Sequence, residues 1–86
     1  MTLPERYYKY LMSLGHGNKV SKKYLVSLAR GKGWNDAYIT RALDALDPLP
    51  DIGRFYEEGE VRYCWYSLTD KEKEIYQRQL TFWNSL

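Results

Sequence analysis

The sequence predicts a mostly helical α+β domain: a three-helix core, a β-hairpin and a closing helix within 86 residues. Three observations carry this. Apolar residues recur at helical spacing in three successive segments, each opened by a capping side chain. Two runs rich in aromatic and β-branched residues then flank Glu57-Glu58-Gly59-Glu60, which marks a hairpin. Directly after it, Thr69 with Glu72 three residues on sets a last helix going.

The elements follow in order. Thr2 caps a first helix over residues 2–14, Glu5 completes its capping box, and Pro4 sits in the first turn, where a missing N–H costs nothing. Leu3, Tyr7, Tyr10, Leu11 and Leu14 share one face of it. Gly15-His16-Gly17-Asn18 ends the helix, and Lys19-Val20 reads as a short strand against the hairpin. Ser21 caps a second helix over 21–30, whose inner face is Tyr24, Leu25, Leu28 and Ala29. Gly31 is expected as the left-handed residue that stops it. Asn35 opens a third helix over 35–47 that buries Ile39, Ala42, Leu43 and Leu46 and presents Asp36, Ala37, Thr40, Arg41 and Asp44. Pro48 and Pro50 forbid its continuation. The hairpin covers 52–67, with Arg62, Cys64, Tyr66 and Leu68 on one face of its second strand and Val61, Tyr63 and Trp65 on the other. The final helix spans 70–85. With no repeat and no linker, residues 1–86 read as one domain.

Composition narrows the function classes. No apolar run approaches the ~18 residues of a membrane span, and the first residues lack an apolar signal core. A lone cysteine closes no internal disulfide, so a cytoplasmic location is expected. His16 and Cys64 have no spacing that pairs them, which argues against a zinc site or a catalytic dyad. Gly15-His16-Gly17 and Gly31-Lys32-Gly33 read as helix ends rather than a phosphate cradle, so neither an enzyme nor a cofactor is expected. A net charge of +2 says little, but its distribution says more. Residues 1–34 carry seven bases and one acid, whereas residues 35–60 carry two bases and seven acids.

Helix, tight turn, helix and hairpin is the order of a winged helix-turn-helix. Ala42-Leu43-Asp44-Ala45-Leu46, with Tyr66-Ser67-Leu68-Thr69-Asp70-Lys71-Glu72, resembles winged-helix regulators of the MarR and PadR kind over residues 4–75. The resemblance implies a dimeric, sequence-specific regulator of transcription, its recognition helix at 35–46 and its wing tip at 57–60. One departure stands out: wings of this kind commonly carry Arg or Lys, and this tip carries three glutamates.

On this reading double-stranded DNA is the expected partner. Lys19, Lys22, Lys23, Arg30 and Lys32 surround the second helix and its turn, either as phosphate contacts or as a solvated face. Arg41, with Asn35, Tyr38 and Thr40, is the base-reading set; otherwise Arg41 pairs with Asp44 on the surface. The alternative is a protein-interaction module of the kind some phage inhibitors use. There Glu57, Glu58 and Glu60, beside an exposed strip of Tyr63 and Trp65, hook a basic protein partner, unless a helix covers the strip. In the last helix Ile75, Phe82 and Leu86 lie beside Tyr76, Leu80 and Trp83, a stripe wider than the ~100° one contact requires. One row can then serve a homodimer. No membrane contact is expected.

Overall fold

Four side chains start the four helices by the same means, each accepting a hydrogen bond from the backbone N–H three residues on. In a computed structural model describing residues 1–75 and Arg78, Thr2 Oγ1 accepts from Glu5 at 3.4 Å and Ser21 Oγ from Tyr24 at 3.1 Å. Asn35 Oδ1 accepts from Tyr38 at 2.8 Å and Thr69 Oγ1 from Glu72 at 3.2 Å. The helices that follow are α1 (Leu3–Leu14), α2 (Lys22–Gly31), α3 (Asp36–Asp44) and the start of α4 at residues 70–75. Glu72 also reaches back to the Thr69 N–H at 3.4 Å, which completes a reciprocal box.

Two helix ends differ from expectation. Gly31 is the last helical residue of α2, and the left-handed residue is Gly33 at φ +89°. The N–H groups of Lys32 and Trp34 both return to the Ala29 carbonyl and that of Gly33 to Arg30, so the reversal closes two residues later than composition suggests. The third helix ends at Asp44 rather than residue 47. Pro48 disfavours helical backbone at Asp47, and Leu46 and Asp47 donate instead to Leu43 and Asp44 in tighter turns. Leu46 is buried all the same.

Three antiparallel strands complete an α+β fold: β1 (Val20–Ser21), β2 (Ile52–Glu57) and β3 (Glu60–Trp65), in the order β1-β3-β2. The first lies one residue later than its expected place, with Val20 opposite Tyr63 and Ser21 opposite Arg62. Between β2 and β3 the chain reverses through Glu58 at φ +52° and Gly59 at φ +77°. Both central residues have positive φ, the type I′ turn whose twist suits a two-residue hairpin.

The core gathers Leu3, Tyr7 and Leu11 of α1, Leu25 and Ala29 of α2, Ile39, Ala42 and Leu43 of α3, Leu46 and Tyr63. The Tyr7 hydroxyl donates to the Leu25 carbonyl at 2.7 Å, and burial pushes its phenol up to about 12. Tyr24, expected inward, is 48% exposed and tilts against Tyr10. The buried stripe of α2 is shifted toward Val26, leaving Tyr24 at the rim.

Of the two readings of the Tyr63–Trp65 strip, exposed or covered by a helix, the covered one holds, and the alternative's exposed strip is corrected. Val61, Tyr63 and Trp65 pack inward, and Tyr63 is 2% exposed. The cause is the helical layer: α1 and α2 both pack on β3 and cover this face. On the other face Phe55 and Tyr66 close over Gly53, the cross-strand partner of Cys64. A Cβ at Gly53 would lie 2.7 Å from each ring, so the approach requires glycine.

Asp51, the one buried acid among the described residues, organises this end of the sheet. Its Oδ2 accepts from the Tyr8 hydroxyl and from Trp65 Nε1, and its carbonyl accepts from the Tyr66 N–H. The Asp51 carboxylate chiefly, then burial, raises the Tyr8 phenol above its ordinary range. His16 secures the neighbouring loop: its Nδ1 accepts from the Ser67 N–H at 2.8 Å.

Residues 69–75 are all exposed, Ile75 at 46%. Of the residues expected to form a dimer face, Tyr76, Leu80, Phe82, Trp83 and Leu86 lie outside the described residues. No helix among the described residues is long and apolar enough to cross a membrane.

Candidate nucleic-acid interface

The α2–α3 unit positions the candidate side chains. Four residues, 32–35, join the two helices, the spacing of a helix-turn-helix. Because Ile39, Ala42, Leu43 and Leu46 are all buried, the opposite side of α3 faces out. Asp36, Ala37, Thr40, Arg41 and Asp44 are exposed along it.

Three rings and groups stack along this helix. Trp34 lies parallel to Tyr38, with ring centroids 5.0 Å apart and planes at 19°. The Arg41 guanidinium sits over the same tyrosine, 5.8 Å from its centroid. Arg41 therefore rests on an aromatic face, and no ion pair to Asp44 forms. Its donors stay available. Asn35 is committed differently, since its Oδ1 caps α3 and leaves only the amide N–H groups to read a base.

The cations divide into two sets. Lys22 and Lys23 begin α2 and Lys32 lies in the turn, and none of the three is ion-paired among the described residues. Lys19 and Arg30 are engaged. Lys19 pairs with Glu57 and lies 4.4 Å from the Phe55 ring centroid. Arg30 forks onto Asp36 with Nε at 2.8 Å and Nη2 at 3.0 Å. These hydrogen bonds hold the Asp36 and Glu57 carboxyls below the usual range and the Arg30 guanidinium above its own.

The acidic tip is engaged as well. Arg62 lies 3.4 Å from Glu58 and 3.7 Å from Glu60, so each of the three wing glutamates meets a cation. The Lys19–Glu57 pair escaped the sequence reading because the two are 38 residues apart, and neither turn chemistry nor helical spacing links them.

A slot of about 560 Å³ separates α2 from the hairpin. Lys22, Val26 and Arg30, each four residues from the next, form one wall with Lys23, and Tyr56, Gly59, Glu60 and Val61 form the other. Tyr56 is 76% exposed. The alternation of β2 was the available signal for it: Tyr56 follows Ile52 and Arg54 on the inward face but lies beyond the core, toward the turn.

No cluster of three or more His, Cys, Asp or Glu side chains that could hold a metal occurs among the described residues. No family model, curated protein or solved structure matches the chain.

Proposed function

We propose that this chain is a winged helix-turn-helix that binds double-stranded DNA and regulates transcription, with α3 entering the major groove. The element order, the β1-β3-β2 sheet and the four-residue turn support the architecture. One observation carries the function. Arg41 stands on the exposed side of α3, seated on Tyr38 and without an ion pair among the described residues, as a guanidinium that forks onto guanine must be. Lys22 and Lys23 hold the phosphate backbone, aided by the positive end of the α2 dipole. The basic-protein alternative has lost its aromatic strip, because Tyr63 is in the core, and its glutamates are engaged at home.

Gel shifts across roughly 50 to 200 mM salt test this, with random duplex as competitor. Binding falls with salt at a slope that reports ~3–5 phosphate contacts per domain. Replacing Lys22 and Lys23 together with Ala weakens every sequence alike and reduces the slope by about two. Arg41→Ala instead flattens the preference at one base pair, a loss of about 1–3 kcal/mol in discrimination. Absence of any duplex complex at low salt removes the proposal.

A further inference from the structure

The slot between α2 and the hairpin has a chemistry that a duplex reader does not use. A duplex offers grooves that receive a protruding helix, and α3 supplies that protrusion. The slot is the reverse: a concavity of about 560 Å³, too small to take in a duplex ~20 Å across. Its α2 wall runs eight residues from Lys22 to Arg30, about 12 Å of helix. Cations line that wall, while Val26 and Val61 add apolar surface between the walls. Tyr56 stands on the opposite wall with its ring 76% exposed and without a ring contact or hydrogen bond among the described residues.

We infer that this slot seats a single nucleic-acid strand, with one base stacked on Tyr56 and the phosphates along Lys22 and Lys23. A cationic track with an aromatic platform is the usual arrangement for a strand without sequence preference, since every base has a π-face. An acidic peptide would satisfy the lysines, but it has no need of the free ring. The site shares Lys22 and Lys23 with the duplex reading but does not rest on it.

Fluorescence anisotropy with a labelled thymidine oligomer and, separately, a blunt duplex tests the inference. Tyr56→Ala weakens the oligomer complex about tenfold or more, and Tyr56→Phe restores it. The blunt duplex binds Tyr56→Ala and wild type equally, which also shows that the variant is folded. Polyglutamate fails to displace the oligomer at equal charge. No oligomer binding, no effect of Tyr56→Ala on it, or equal displacement by polyglutamate overturns the strand seat. Duplex binding without oligomer binding removes only the seat; oligomer binding without duplex binding removes only the duplex reading.

Discussion

Replacing Asp36 with Asn should tighten duplex binding, and the structure sets the size of the gain. Arg30 reaches Asp36 with two hydrogen bonds across the turn, one residue after the cap of α3. The pair is exposed on both sides, so its loss costs the fold little. Without the carboxylate the Arg30 guanidinium is free to meet a phosphate. One added contact steepens the slope of log affinity against log salt by about 0.9, which at ~0.1 M salt corresponds to about eightfold tighter binding. Removing the acid from the start of the reading helix acts in the same direction. Anisotropy with random duplex across the salt series gives both affinity and slope. Adding Arg30→Ala to the Asp36→Asn chain should cancel most of the gain, a double-mutant cycle on one pair. An unchanged slope and affinity in Asp36→Asn would show that this end of α3 stays off the backbone.

Two further predictions concern the fold. Glu58 is the one non-glycine residue with positive φ among the described residues, at +52°. Left-handed backbone costs an ordinary residue roughly 1–2 kcal/mol, and Asn, whose short polar side chain bonds locally, recovers part of it. Glu58→Asn should therefore add about 0.5–1 kcal/mol and raise the thermal midpoint by roughly 2–8 °C; a lower midpoint refutes the turn assignment. Tyr7 governs the alkaline limb. Its phenol stands at about 12 in the fold against 10.0 when unperturbed. The folded chain keeps a proton that the unfolded chain releases, so the stabilisation is complete below pH ~10 and is lost as pH rises toward ~12. The gap corresponds to on the order of 2–3 kcal/mol. Urea midpoints across this range should fall less steeply in Tyr7→Phe than in wild type, though Tyr8, Tyr10 and Tyr63, all raised too, keep part of the slope. Parallel curves would exclude Tyr7 as the group responsible.

What could be read in the sequence was what is decided locally. Thr2, Ser21, Asn35 and Thr69 each satisfy a donor three residues away, so no distant part of the chain is needed to place them. The buried row Ile39, Ala42, Leu43 and Leu46 likewise placed Thr40 and Arg41 outside, because a helix with one apolar stripe has only one other side. The faces of β3 show where local information stops. Alternation separates Tyr63 from Cys64 but does not say which face the helices will cover, and both residues prove buried. Asp51 was harder still. In a segment with six other acids nothing marks it, and its role depends on Tyr8, 43 residues earlier, and on Trp65.

Charge is where sequence order misleads most. Counted along the chain, residues 35–60 oppose a polyanion, with seven acids against two bases. In space most of those acids are paired or buried. Asp36 is held by Arg30 and Glu57 by Lys19, both from the basic N-terminal part, and Glu58 and Glu60 by Arg62 of β3. Asp51 is turned into the fold. Such surface pairs stabilise a protein little, but each cancels a field that a phosphate would otherwise feel within a Debye length of ~10 Å. Among the described residues, the acids of α3 and its C-terminal turn left without an ion pair are Asp44 and Asp47. Among the described residues, the α2–α3 unit is left with Lys22, Lys23, Lys32 and Arg41 outside any ion pair against Asp44 alone. On the proposed reading those four cations attract the nucleic acid. The strength of that attraction depends on keeping the paired glutamates paired. On that reading Lys19 and Arg62 support binding by holding the wing glutamates.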